Sequence, residues 1–142
     1  MIVLDTNVVS ELMRPEPTSN VLAWVREQPS NDLYTTAITI AEIRYSIARL
    51  AAGRRRTTLA QAAGEVFGAF PDQVLAFDLA AADAYADVVA HRDNLGIPID
   101  GFDAQIAAIC RTHAAVLATR NTKDFINTGI RIVDPWQDDE DR

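Results

Sequence analysis

The chain has a single cysteine, Cys110, among its 142 residues, so no internal disulfide can form, and a reducing, cytoplasmic setting is expected. Cys110 shares a helical stripe with Phe102, Ile106 and Ile109, which reads as core rather than as a nucleophile. No apolar run approaches the roughly 18 residues that a membrane span needs. The opening residues carry no basic leader, so no signal peptide is expected. Histidine is scarce too. His91 and His113 fall in the last turns of helices, and His113 reads as a partner of helix carbonyls rather than as a ligand or base. The patterns G-x-x-x-x-G-K-[ST], G-x-G-x-x-G and G-x-S-x-G are all missing, which argues against nucleotide phosphate loops and serine hydrolase chemistry.

Positive charge is also short. Thirteen Lys and Arg face twenty Asp and Glu, for a formal net charge of −7. That argues against adhesion to nucleic acid by charge alone. It leaves open a nucleic-acid enzyme whose positive charge arrives as metal ions. Part of the excess is local: Asp138, Asp139, Glu140 and Asp141 read as a solvated acidic tail, 138–142, after one domain over 1–137.

What is present is an alternation of apolar runs and helical patterns. Ile2-Val3-Leu4 is a continuous apolar run that suits a strand buried on both faces. Further strands are predicted over 33–38, 74–77, 115–119 and 130–133, five in all. Helices fall between them, with stops at Arg14-Pro-Glu-Pro17, at Gly53 after a helix opened by Thr39, at Pro71 and at Gly96. Arg54-Arg55-Arg56 is the one basic cluster and precedes a helix expected from about Thr57. This order implies an α/β fold, three α/β/α layers around a mainly parallel sheet.

Four carboxylates recur where strands give way to helices. Asp5 follows the first strand, Glu42 lies in the first turn after the second, Asp103 opens the helix after Asp100, and Asp124 follows the fourth strand. Each has a purely structural reading. Asp5 can cap a helix; Thr39-x-x-Glu42, Asp100-x-x-Asp103 and Asn121-x-x-Asp124 resemble capping boxes. Together they are harder to explain by capping. Helices after parallel strands start at one sheet edge, where open α/β folds bind their ligands. Like charges about 4 Å apart repel by roughly 4 kcal/mol at an effective dielectric near 20, so such a cluster calls for a cation. Carboxylates without thiolate or imidazole select hard cations, Mg²⁺ or Mn²⁺.

Five segments in order, I-V-L-D-T-N-V-V-S-E, T-A-I-T-I-A-E-I-R, D-G-F-D-A-Q-I-A-A, L-A-T-R-N-T-K-D-F and I-V-D-P-W, resemble the PIN-domain ribonucleases, in particular the VapC-type toxins with their FitB-like branch. The resemblance implies a PIN-like fold and Mg²⁺- or Mn²⁺-dependent hydrolysis of RNA phosphodiesters. Carried over, Asp5, Glu42 and Asp103 match the first three acids. The family often has an acid directly after T-R, where this chain has Asn121. Either Asp124 takes that role, or three acids and an amide form the site. Thr6, Asn7 and Thr119 match supporting polar residues. The resemblance further implies a homodimer held inactive by a VapB- or FitA-like antitoxin, through which alone DNA is contacted. Arg44, Arg54 to Arg56 and Arg120 are candidates to meet RNA phosphates or an acidic antitoxin.

Two rivals stay open. A degenerate module that only binds antitoxin or RNA is kept alive by Asn121. A phosphohydrolase with an aspartyl intermediate would open on strand-D-x-D, and Asn7 at the second position counts against it.

Overall fold

The structure is a computed structural model and describes residues 1–138. Its sheet is parallel throughout, with strands in the order β3-β2-β1-β4-β5: β1 (Ile2–Leu4), β2 (Leu33–Thr36), β3 (Val74–Leu75), β4 (Val116–Ala118) and β5 (Arg131–Val133). β1 is central because its apolar run tolerates cover on both faces. Ile2 stands opposite Leu33 on one side and Val116 on the other. The helices are α1 (Thr6–Leu12), α2 (Ser19–Glu27), α3 (Ala37–Ala48), α4 (Arg54–Gly68), α5 (Leu79–Asn94) and α6 (Gly101–Thr112). Among the described residues, no helix is long and apolar enough to cross a membrane.

Side chains alternate across the strands, and that alternation makes the layers. Val3 and Leu117 pack with Val88 of α5, Ile106, Ala107 and Cys110 of α6, and Phe125. Leu4 and Ala118 face the other way, against Val8, Val21, Trp24, Ile43, Ile47 and Ala63 of α1 to α4. The expected three-layer α/β/α domain is therefore present, and Cys110 is a core residue as expected. Full burial of each such aliphatic side chain stabilises the fold by about 1.5–3 kcal/mol.

Several expected boundaries differ: the strand expected over 74–77 is Val74–Leu75 alone, and those expected over 115–119 and 130–133 are Val116–Ala118 and Arg131–Val133. β2 stops at Thr36, because the extended Thr36 accepts the Thr39 amide at 3.1 Å and starts α3 at Ala37. The Thr39–Glu42 capping box therefore does not form, and Glu42 lies in the second turn of α3, not the first. The arginine cluster also lies within a helix: Arg54 to Arg56 are the first turn of α4. The acidic tail falls outside the described residues from 139 onward. Asp138 itself accepts a 3.0 Å bond from Asn20, which also donates to the Trp136 carbonyl.

The turn from α6 into β4 carries strain that sequence reading passed over. The Ala115 amide donates to the Cys110 carbonyl at 2.9 Å and the Ala114 amide to Arg111 at 3.3 Å, a closure that needs a left-handed residue at 114. Ala114 takes it, at φ +49. Left-handed backbone costs an L-residue roughly 1–2 kcal/mol, a penalty glycine avoids. Ala114→Gly is expected to stabilise the protein by about 1 kcal/mol, net of the glycine's larger unfolded-state entropy. A urea titration should show a higher midpoint at unchanged slope.

Candidate active site

The sheet order creates the site. From β1 the chain runs to β2 on one side, while β4 lies on the other, so a crevice opens between the carboxyl ends of β1 and β4. Asp5 and Thr119 follow those ends. The Asp5 amide donates to the Ala118 carbonyl at 3.0 Å, which locks the two strand ends together.

Asp5 is buried, only 4% exposed. Its Oδ1 accepts the Thr6 amide at 2.8 Å, so the capping role is real. Its Oδ2 accepts the Thr119 hydroxyl at 2.8 Å and Asn7 Nδ2 at 3.3 Å. Capping uses one oxygen, and the other belongs to a network at the crevice. Thr119 Oγ1 also accepts Asn7 Nδ2 and the Asn121 amide, both at 3.1 Å. Asn7 Oδ1 accepts the Arg120 amide at 3.1 Å. Thr119 and Asn7 thus bond the Asp5 carboxylate and the turn after β4, and Thr6 bonds Glu42.

A second chain of hydroxyls reaches Glu42. Thr6 Oγ1 donates to Glu42 Oε1 at 3.2 Å and lies 3.4 Å from Thr39 Oγ1, which is 3.2 Å from Thr36 Oγ1. Thr36 and Thr39 are fully buried, and among the described residues no buried side-chain polar atom lacks a partner. The helix start that displaced the expected capping box is what turns Glu42 toward Thr6. Thr39 was therefore read for the wrong bond.

The electrostatics tie the acids together. Burial raises the Asp5 carboxyl above its ordinary range, against the pull of its hydrogen bonds, and the charge of Asp124 adds to the rise. Burial raises Glu42 as well, with Asp5 and Asp100 adding. Asp103 is pushed up to about 7, first by burial and then by Asp5, Asp100, Asp124 and Glu42. Asp103 therefore feels every other acid of the cluster. Asp124 is exposed on a short 3-10 turn over 122–125, and exposed Asn121 precedes it without a side-chain capping bond. Asp100 is the acid that sequence reading undervalued. It does cap α6, accepting the Phe102 amide at 2.9 Å, but its charge also bears on Glu42 and Asp103.

Among the described residues the cluster has no cationic partner. Among the described residues the ion pairs are Met1 with Asp32 and Arg14 with Glu11, neither at the crevice. The donor set suits a hard cation: carboxylates, hydroxyls and an amide. The one thiol of the sequence is unsuitable, because burial pushes Cys110 up to about 12. Among the described residues no three acids converge tightly enough to enclose an ion by themselves. Of the candidate arginines, Arg44 lies 5.0 Å over the Phe67 ring and Arg120 5.2 Å over Trp136.

An α/β/α domain with an acidic cluster at the switch point of its parallel sheet is the class that fold and site define. Residues 2–130 match the PIN domain, and the chain belongs to that family. It is 45% identical over 138 residues to VapC ribonuclease Y4jK of Sinorhizobium fredii, covering 96% of this chain and 99% of that one. Toxin FitB of Neisseria gonorrhoeae is 35% identical over 139 residues, covering 97% and 100%. Among solved structures, FitAB bound to an IR36 DNA fragment aligns with a TM-score of 0.90 at 34% identity, covering 98% of each chain.

The raised Asp103 carboxyl has a consequence for stability. Its folded value, about 7, lies above the ordinary 3.8, so the native state holds a proton that the unfolded chain releases. Its contribution is fully present below about pH 3.8 and is lost as pH rises through about 7. In EDTA, Asp103→Asn should therefore melt higher than wild type at pH 8, with the gap narrowing towards pH 4. Thermal melts across that range check this. A gap independent of pH would mean that Asp103 is not strained by its neighbours.

Proposed function

We propose that this chain is a metal-dependent endoribonuclease and the toxin of a toxin–antitoxin pair, working in the cytoplasm. The observation that carries the reading is Asp103, half-buried, raised first by that burial and then by four neighbouring acids, and paired with no cation among the described residues. The named relatives, a VapC ribonuclease and a FitB toxin, support the same activity.

Asp5, Glu42, Asp103 and Asp124 would hold Mg²⁺ or Mn²⁺, with Asn121 as a neutral oxygen donor. Held there, the ion would supply Lewis-acid polarisation of a phosphoryl oxygen and a water of lowered pKa, so that no protein nucleophile would be needed. The chain's own residues supply the positioning. Thr119 and Asn7 fix Asp5, and Thr6 fixes Glu42. Arg120, steadied on Trp136, stands beside the crevice to meet a phosphate.

The partners have candidate surfaces. A largely apolar groove of about 350 Å³ runs from Thr6 between α1, α3 and α4, with Met13, Ile43 and Leu59 in its walls and Arg14 and Arg55 at its rim. An amphipathic acidic antitoxin segment fits that chemistry. The arginine cluster opens α4, where the helix dipole disfavours cations, so local folding does not account for it. In this reading DNA is met only through the antitoxin. Exposed Tyr45 and Phe102 flank Glu42 and offer an apolar face to a second copy of the chain.

Cleavage of single-stranded RNA in Mg²⁺ or Mn²⁺ tests the reading. Asp5→Asn and Asp103→Asn should each lower the rate by about 100-fold or more with the fold kept, and EDTA should abolish it. Wild-type rates in Asp5→Asn would sink the mechanism. A folded wild type that binds its antitoxin but cuts no RNA would favour the binding-only module that Asn121 allows. Asp124→Asn should weaken Mn²⁺ binding and cleavage, while Asn121→Asp should strengthen binding. Growth arrest on expression, relieved by an adjacent antitoxin gene, tests the toxin role.

A further inference from the structure

Arg92 is 5% exposed, yet among the described residues it pairs with no carboxylate. It sits in the last turn of α5, where a basic residue would ordinarily reach solvent and complement the helix dipole. Instead α5 closes through a left-handed Gly96 at φ +73, and the Ile97 amide donates to the Arg92 carbonyl at 3.0 Å. That closure turns the Arg92 side chain inward. Its Nε donates to the Ile97 carbonyl at 2.6 Å. Its Nη1 donates to the carbonyls of Asp124 at 2.9 Å and Ile126 at 2.8 Å.

One guanidinium thus joins two stretches far apart in sequence. The first is the connection through Ile97 and Pro98 to Asp100 and Asp103. The second is the turn that carries Asp124. That turn needs an anchor. It is one 3-10 turn without a side-chain cap from Asn121; its start is tied by the Asn121 amide to Thr119 Oγ1 at 3.1 Å, and its end is held otherwise by buried Phe125 and by Thr128, whose hydroxyl donates to the Phe125 carbonyl at 2.5 Å. Burying a guanidinium without a counter-ion is costly, and an aliphatic residue would fill the space more cheaply. What an aliphatic residue lacks is a planar fork of donors that reaches two chain segments at once.

We propose that Arg92 is a positioning residue for the acidic site, setting the Asp124 carboxylate against the entry to α6 through backbone carbonyls, without touching RNA or metal. This rests on the acids forming a metal site. Groups that support a ligand rather than ligate commonly account for about 10- to 100-fold in metal affinity or activity.

The test compares full-length wild type, Arg92→Lys, Arg92→Met, Asp124→Asn and the Arg92→Lys/Asp124→Asn double variant. Mn²⁺ affinity is measured by calorimetry, and kcat and KM by RNA cleavage. Arg92→Lys keeps the charge but not the fork. It should fold, bind Mn²⁺ about 10-fold or more weakly, and lose kcat with KM near wild type. The double variant should be no worse than Asp124→Asn, because both changes act through one carboxylate. Wild-type affinity and kcat in a folded Arg92→Lys or Arg92→Met would overturn the proposal. So would losses that multiply in the double variant, or a failure of both Arg92 variants to fold, which would make Arg92 a fold residue. A wild type that binds no Mn²⁺ would remove the metal-site reading itself, and this inference with it.

Discussion

The 2.8 Å bond between the Thr119 hydroxyl and Asp5 Oδ2 is the constraint around which the crevice is built. Asp5 ends β1, Thr119 follows β4, and these strands meet at the centre of the sheet. The bond fixes one carboxylate oxygen at the strand ends while the other starts α1 by taking the Thr6 amide. Thr6, placed by that helix start, then reaches across to Glu42. An alanine at position 5 would leave the buried Thr119 hydroxyl without its acceptor and the Asn7 amide with Thr119 alone. A carboxylate there satisfies all three donors, but it carries charge into a site where burial resists it.

Much of this was legible in the sequence because it is local. A three-residue apolar run followed by Asp-Thr-Asn announces a buried strand and a helix start within seven residues. The same local logic places Asp103 in the first turn of the helix capped by Asp100, and Asp124 in the turn after β4. Glu42 was found for a partly wrong reason. Thr36 and Thr39 stand three apart, and each has a plausible acceptor side chain for a helix start. Only the pairing of β2 with β3, which extends the chain through Thr36, decides between them. Arg92 was passed over because its partners lie 5, 32 and 34 residues away. An arginine near a helix end reads as solvated until the fold brings those carbonyls together. Asp100 was read correctly as a cap, and incompletely, because a charge acts across space on acids that the sequence separates.

The net charge of −7 and an RNA substrate are compatible only if positive charge is concentrated where it is needed. The screening length is about 8 Å at physiological ionic strength, so a distant excess of acid matters little at the crevice. Arg120, whose amide bonds Asn7 at the crevice, lies over the Trp136 ring, and Arg44 lies over Phe67. Cation–π contacts restrict a long flexible side chain without neutralising it. A salt bridge to one of the acids would have relieved their repulsion by neutralising one charge. Leaving the arginines on aromatic faces instead keeps both the acids and the guanidinium groups available.

The four proposed ligands are not held alike, and the difference follows from how each reaches the crevice. Asp5, Glu42 and Asp103 stand at or within the starts of α1, α3 and α6, elements with their own buried faces in the core. Asp124 stands on a single 3-10 turn whose packing comes mainly from Phe125. A short turn has few internal hydrogen bonds, so its geometry depends on outside anchors. A buried guanidinium is suited to that task because carbonyl oxygens spend their second lone pairs on it without giving up local structure. The least regular corner of the site is therefore the one tied down by the most costly buried group. That pairing makes sense if the position of Asp124, rather than its presence alone, is what the site requires.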